Sequence, residues 1–74
     1  MPKLSPPKAT HSQILKLLLM LETAGEIHRD HKSDDIFDYE SDGLHWVRDF
    51  MGIEVDRLSN LTNDQIHRCY EEIG

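Results

Sequence analysis

The sequence predicts a mainly α domain made of three short helices. A threonine N-cap is followed three residues later by glutamine at Thr10 and again at Thr62, the signature of a capping box. Apolar residues recur at helical spacing after each cap. A chain of 74 residues is expected to form one domain around a single modest core. We therefore expect an N-terminal arm over residues 1–9 and one compact helical domain over residues 10–74.

The first nine residues, MPKLSPPKA, predict an extended or disordered basic arm rather than part of the core. Its three prolines disfavour a regular element, and chain ends are usually disordered unless they are tied down. Lys3 and Lys8 make the arm positive, so both are candidate contacts to nucleic acid or to an acidic surface. The simpler alternative is a frayed terminus.

The first helix is predicted over residues 11–24, and Gly25 suits the left-handed conformation that commonly ends a helix. One stripe at helical spacing is assigned to the core: Ile14, Leu17, Leu18 and Leu21. Leu15 and Leu19 form a second ridge beside it, where a surface helix normally carries polar groups. Either the other helices cover this ridge or another protein does. Leu15 and Leu19 are therefore candidate partner-binding residues.

An acidic connector follows the first helix, with six acids against one lysine between Asp30 and Asp42. Within it, Ile36–Tyr39 predicts a short strand or an ordered loop, with a possible two-stranded pairing to Ile53–Val55. Four carboxylates are candidate partner contacts: Asp34, Asp35, Asp38 and Glu40. Opposite a basic partner they would set orientation and association rate. The alternative is a solvated loop that like charges keep open.

The second helix is predicted over residues 43–51, with Ser41 or Asp42 as its cap and Gly52 as its stop. Its predicted core face consists of Leu44, Val47, Phe50 and Met51. Trp46 lies at the edge of that face. Tryptophan in such a place either belongs to the core or anchors an interface, so Trp46 is a further candidate partner contact.

The third helix is predicted over residues 63–73. Leu61, directly before the Thr62 cap, is placed to pack on Ile66 as a hydrophobic staple. The apolar stripe of this helix consists of Ile66, Cys69, Tyr70 and Ile73. Cys69 is therefore interpreted as a small buried hydrophobe rather than a nucleophile.

Composition argues against several classes of function. A net charge of −6 disfavours general nucleic-acid binding, and the apolar run Ile14–Leu21 is far shorter than the roughly 20 residues that span a bilayer. A single cysteine and the lack of a signal-peptide pattern favour the reducing cytoplasm. No catalytic motif is present, so we expect a non-enzyme without a cofactor. His28 and His31 are a weak metal-binding signal, and we expect no metal site there.

The whole chain resembles small bacteriophage regulators of host RNA polymerase. The resemblance runs through MPKLSPPK, ILKLLLML, FDYESDGLHWVRDF and NLTNDQIHRCYEEIG. It implies a non-enzymatic protein of the host cytoplasm that docks on core polymerase near the RNA exit region. Such a protein inhibits promoter-dependent initiation or promotes antitermination. The resemblance assigns no binding residue, and we expect the free protein to be a monomer.

Three other hypotheses remain from the residues alone. The first is an acidic decoy that occupies a host nuclease or defence complex, for which a regular array of carboxylates along one face would be expected. The second is a metal-assisted enzyme built on His28, His31 and Asp34. The third is an antitoxin-like DNA-binding protein, which the two glutamates on the third helix disfavour.

Overall fold

Three α-helices form the body of the domain, as the sequence predicts. The computed structural model describes residues 7–28 and 34–74, and the elements there are α1 (His11–Thr23), η1 (Ile36–Tyr39), α2 (Glu40–Phe50), η2 (Leu58–Asn60) and α3 (Asn63–Ile73), where η denotes a short 3-10 helix. No β-strand occurs within these residues. No helix in this part of the chain has both the length and the apolar character needed to cross a membrane.

The two predicted capping boxes are confirmed and define where α1 and α3 begin. The Thr10 hydroxyl accepts a hydrogen bond from the Gln13 backbone N–H at 3.2 Å, and the Gln13 side chain accepts one from the Thr10 N–H at 2.8 Å. Thr62 and Gln65 make the same reciprocal pair at 3.2 and 2.9 Å. These bonds satisfy backbone donors that a helix start otherwise leaves unpaired.

The start of α2 differs from the prediction. The Asp35 side chain accepts a hydrogen bond from the Phe37 N–H at 3.0 Å and so caps η1, which leads directly into α2 at Glu40. Because the chain already turns helically through η1, α2 needs no cap at Ser41 or Asp42, and both lie inside the helix. The predicted pairing of Ile36–Tyr39 with Ile53–Val55 is also wrong, because residues 36–39 form the 3-10 helix η1 rather than a strand.

The core lies between the three helices and contains the predicted α1 stripe. Ile14, Leu17, Leu18 and Leu21 are all buried, the last three with no exposed surface. The other buried hydrophobic residues are Ala9, Ile27, Ile36, Trp46, Val47, Leu58, Leu61, Ile66 and Cys69. The staple residues Leu61 and Ile66 are thus both fully buried.

The core face of α2 is rotated from the predicted one. Gly43, Trp46 and Val47 are buried, whereas Phe50, assigned to the core from the sequence, is 63% exposed. Gly43 explains the rotation, because a Cβ atom there would lie 2.7 Å from Cδ2 of Leu18. The absent side chain lets α2 approach α1 closely along the glycine, and the next turn then brings Trp46 inward.

The last residues of the N-terminal arm belong to the folded domain. The Ala9 N–H donates to the Leu61 carbonyl at 2.7 Å, and the Pro7 carbonyl accepts from the Asn63 N–H at 2.8 Å, around an isolated antiparallel bridge between Lys8 and Thr62. Ala9 is buried. The prediction that the arm through residue 9 lies outside the core is therefore wrong for Ala9, because backbone pairing with the start of α3 ties it down.

Side chains also join the two capped helix starts. The Gln13 Nε2 donates to Oδ1 of Asn63 at 2.7 Å, while the Tyr70 hydroxyl donates to the Gln13 carbonyl at 2.7 Å. Gln13 thus uses one end of its amide to close its own capping box and the other to bind α3. These bonds fix the rotation of α1 relative to α3, and with it the part of α1 that α3 leaves uncovered.

Candidate interaction surface

An open apolar groove lies along the outer face of α1. It has a volume of about 580 Å³. Its lining consists of Ser12, Leu15, Lys16, Leu19, Met20, Thr23, Ala24, Ile73 and Gly74. The structure therefore brings the two predicted ridge residues, Leu15 and Leu19, together in one concave surface, which we call the α1 groove.

Leu19 is the most accessible large apolar side chain of the α1 groove. It is 39% exposed, while Leu15 and Met20 are half-buried. The core stripe of α1 faces the opposite way, so the groove is a second apolar face of the same helix. The end of α3, through Ile73, forms one wall without covering Leu19. Accessible apolar surface of this kind on a small domain is typical of an association site.

One cation lies at the edge of the α1 groove. The Lys16 Nζ is 4.8 Å from the centroid of the Tyr70 ring, within the range of a cation–π contact. The Tyr70 hydroxyl is in turn bonded to the Gln13 carbonyl. The ring therefore has a fixed position and holds the ammonium group of Lys16 beside the apolar floor. Among the residues that line the groove, Lys16 is the only charged side chain.

A second exposed apolar feature lies on α2, and it is not the predicted one. Trp46, a candidate anchor in the sequence, is only 8% exposed and belongs to the core. Its ring stacks on that of Phe50, with 5.1 Å between the ring centroids and 13° between the planes. Phe50 is the accessible member of this pair. Sequence reasoning missed it because Phe50 falls on the apolar spacing of Leu44 and Val47.

Three of the four predicted connector carboxylates are exposed. Asp34, Asp35 and Asp38 lie at the beginning of η1 or within it. Asp35 caps η1, so it has a structural role as well as its charge. The η1 helix packs against α1, and the rings of His11 and Phe37 stack there with 4.3 Å between their centroids. The three carboxylates therefore place negative charge on the surface beside α1.

The fourth carboxylate, Glu40, is used within the fold. It accepts hydrogen bonds from Arg57 Nε at 3.0 Å, from Arg57 Nη2 at 3.1 Å and from the Leu58 N–H at 3.0 Å. The bonds from Arg57, aided by the Leu58 N–H and opposed by partial burial, hold the pKa of Glu40 below its ordinary value of 4.5. Glu40 therefore ties the start of α2 to η2, and its carboxylate is turned toward Arg57.

The remaining candidates divide between described and undescribed residues. Lys8 is exposed beside the bridge to Thr62, whereas Lys3 and His31 lie outside the described residues. His28 is exposed at the end of the described segment that follows α1. Where side chains are described, no three histidine, cysteine or acidic residues lie close enough together to hold a metal ion.

Cys69 is fully buried on α3, as its position on the apolar stripe predicts. Burial raises the pKa of its thiol to about 11, because the charged thiolate loses its hydration in the core. At neutral pH the sulfur is therefore protonated. A protonated, inaccessible thiol is a packing group rather than a nucleophile.

Comparison of the chain with models of protein families, with curated proteins and with solved structures finds no match. The resemblance to phage regulators of RNA polymerase thus stays a prediction from the sequence.

Proposed function

We propose that this protein is a non-enzymatic bacteriophage regulator that binds host bacterial RNA polymerase. It inhibits promoter-dependent initiation, promotes antitermination, or does both. The observation that supports a binding function is the α1 groove, an accessible apolar surface on the side of α1 away from its buried stripe. The resemblance of the chain supplies the identity of the partner.

Apolar and charged surfaces have different tasks in this proposal. Leu15 and Leu19 in the α1 groove, with Phe50 on α2, supply the area that a partner removes from water, which governs how long a complex lasts. The exposed carboxylates Asp34 and Asp38 supply orientation toward basic residues of the polymerase and speed the encounter. In this proposal the exposed Lys8 contacts phosphate near the RNA exit region.

The two classes of residue predict different kinetic defects in binding to purified core polymerase. The change Leu19→Ala removes apolar contact and should mainly increase the dissociation rate. The change Asp38→Lys should slow association and reduce its dependence on ionic strength. Glu71→Lys is the matched control, because it alters the net charge equally from an exposed position on α3.

Transcription by the same polymerase tests the activity. The wild-type protein should reduce transcripts from a promoter or increase read-through of a terminator, and Leu19→Ala should do so less. Surface plasmon resonance gives the binding rates, and gel analysis of transcript lengths gives the activity. The proposal is contradicted if the protein does not bind core polymerase at micromolar concentration and does not change the transcripts.

In that case the acidic decoy becomes the leading hypothesis, with a host nuclease or defence complex as the partner. The described carboxylates argue against it at present. Asp34, Asp35 and Asp38 cluster at one helix start, and Glu40 is bound to Arg57. DNA mimicry requires carboxylates spaced along a face as phosphates are.

A further inference from the structure

The polar side chains that line the α1 groove are concentrated toward the start of the helix. Ser12 and Lys16 lie there, four residues apart and therefore on one side of α1. Thr23 lies near the other end, but its hydroxyl turns back onto the helix and donates to the Leu19 carbonyl at 2.9 Å. From Leu19 to Ala24 the groove therefore presents mainly apolar atoms.

The ammonium group of Lys16 contacts a ring rather than a carboxylate. Its Nζ lies 4.8 Å from the centroid of the Tyr70 ring, and the side chain is exposed. A ring face engages a lysine ammonium without neutralising its charge or using all of its hydrogen-bond donors. Lys16 is therefore available to an anion, in a position that the bond from Tyr70 to Gln13 helps to fix.

This lining is complementary to a ligand with an anionic head and an apolar tail. The volume of about 580 Å³ lies within the range of about 300–1,000 Å³ that is typical of small-molecule sites, which are mostly apolar with few polar groups. An amphipathic helix of a partner protein would instead bring polar side chains along the whole length of its apolar stripe. The lining offers a charge at one end only, which favours the small amphiphile.

We propose that the α1 groove binds a fatty acid, an unbranched monocarboxylate of medium length. The carboxylate pairs with Lys16, and the tail lies along Leu19 toward Ala24, against the wall formed by Ile73. Ala24 follows Lys16 by eight residues, which is about 12 Å along a helix. An extended chain of about ten carbons has this length, at roughly 1.3 Å per C–C bond along its axis. Decanoate is therefore the probe that fits.

The complex is weak, because the groove is open and leaves part of the tail in water. A ligand of this size is expected to have a dissociation constant on the order of 1 mM. Removal of the tail from water supplies most of the affinity, and the exposed ion pair supplies a smaller part. This inference goes beyond the polymerase proposal and does not depend on it, because the purified protein alone tests it.

Titration of the backbone amide chemical shifts by NMR spectroscopy tests the site directly. Sodium decanoate, kept below its micelle concentration, should shift the amides of Leu19, Met20 and Ala24 along one saturable curve. The amides of α2 around Phe50 should stay in place, because this second exposed apolar side chain lies outside the groove. The fitted curve gives the dissociation constant.

Two substitutions separate the head of the ligand from its tail. Lys16→Met keeps an apolar stem and removes the charge, so it should weaken decanoate by about twofold to fivefold. It should leave binding of octyl glucoside, an amphiphile with a neutral head, unchanged. Leu19→Glu places a carboxylate in the path of the tail and should abolish saturable binding.

Lys8→Met is the matched control for the charge. It removes the same charge from an exposed position outside the α1 groove, so the affinity for decanoate should not change. Circular dichroism checks that each variant is folded.

Three results would overturn the proposal. The first is the absence of a saturable shift at the groove amides up to about tenfold above the expected dissociation constant, which would leave the groove to a protein partner. The second is a set of shifts centred on Phe50, which would place the apolar contact on α2. The third is an equal affinity of Lys16→Met and Lys8→Met for decanoate, which would show that Lys16 does not receive the carboxylate.

Discussion

The chemistry of a single residue depends here on where the fold places it, and Cys69 is the clearest case. A free thiol on the surface has a pKa of about 8.5, so a fraction of it is thiolate near neutral pH and reacts with oxidants and alkylating reagents. On α3 the same group faces the core, where it has no exposed surface and its pKa is raised to about 11. Its reactivity therefore reports on whether the core is closed.

We predict that Cys69 is protected in the native protein and reactive once the chain is unfolded. At pH 7.5 the rate of reaction with Ellman's reagent should rise roughly a hundredfold or more on addition of guanidinium chloride, because access and thiolate formation are both restored. Absorbance at the wavelength of the released thiolate dye follows the reaction. Rapid, complete labelling of the native protein would show that the core around α3 is open.

Gly43 acts at the same scale but through the side chain that it lacks. Because Gly43 has no Cβ atom, Cδ2 of Leu18 can occupy the space where that atom would lie, and α2 can pack closely against α1. A prediction from the spacing of apolar residues does not count a glycine, so it assigns the core face of α2 to Leu44, Val47 and Phe50. The pattern therefore places Phe50 in the core, whereas the structure buries Trp46 and exposes Phe50.

At the scale of the element, α1 carries two apolar faces with different energetic roles. Leu18 is fully buried, and Leu19, the next residue, is 39% exposed in the groove. Burial of the first stabilises the fold, whereas the second contributes less because it keeps much of its contact with water. The two adjacent leucines therefore form a matched pair for mutation.

We predict that Leu18→Ala lowers the free energy of unfolding by about 2–5 kcal/mol, as other large-to-small core substitutions do, and leaves little folded protein. Leu19→Ala should cost less than about 1 kcal/mol. Urea denaturation followed by circular dichroism measures both. Equal effects of the two substitutions would show that the core stripe of α1 has been assigned wrongly.

Elements with local stop and start signals were predictable from the sequence, and elements set by tertiary contact were not. Each capping box of α1 and α3 depends on two residues that are three positions apart, so it can be recognised in the sequence. Both helices begin at the predicted position. The alternation in Ile36–Tyr39 suits a strand, but the Asp35 cap and packing against α1 and α2 produce a 3-10 helix. Short apolar runs of this kind are ambiguous without their neighbours.

The candidate surface was predictable to a similar degree. Leu15 and Leu19 could be identified because they are apolar residues of α1 that lie outside the stripe assigned to the core. The other wall of the groove, Ile73, could not be assigned, since it depends on how α3 crosses α1. Nor does the sequence distinguish Glu40 from the exposed acids, because its partner Arg57 is 17 positions away.

At the scale of the whole molecule, the Glu40–Arg57 pair makes stability depend on pH. A carboxyl whose pKa is lowered by folding contributes stability that is fully present above its unfolded value. That contribution is lost as the pH falls through the folded value. For Glu40 the loss therefore occurs below its ordinary pKa of 4.5.

We predict that Glu40→Gln lowers the free energy of unfolding by about 1 kcal/mol at pH 7, because Arg57 and the Leu58 N–H lose a charged acceptor. The difference from wild type should be constant above about pH 5.5 and should shrink as the pH falls below the ordinary pKa. Thermal melts across this range measure it, with Glu71→Gln as the exposed control. A difference that grows on acidification would mean that the pKa of Glu40 is raised.

The bond between Gln13 and Asn63 has a consequence for the order of folding. These residues are 50 positions apart. Each capped helix can form locally within about a microsecond, but their meeting requires closure of the long intervening segment, whose entropy opposes it. We therefore expect the encounter of α1 with α3 to be the slow step. During synthesis the side of α1 that packs against α3 stays uncovered until α3 has been made, so we expect the nascent chain to be most prone to aggregation before then.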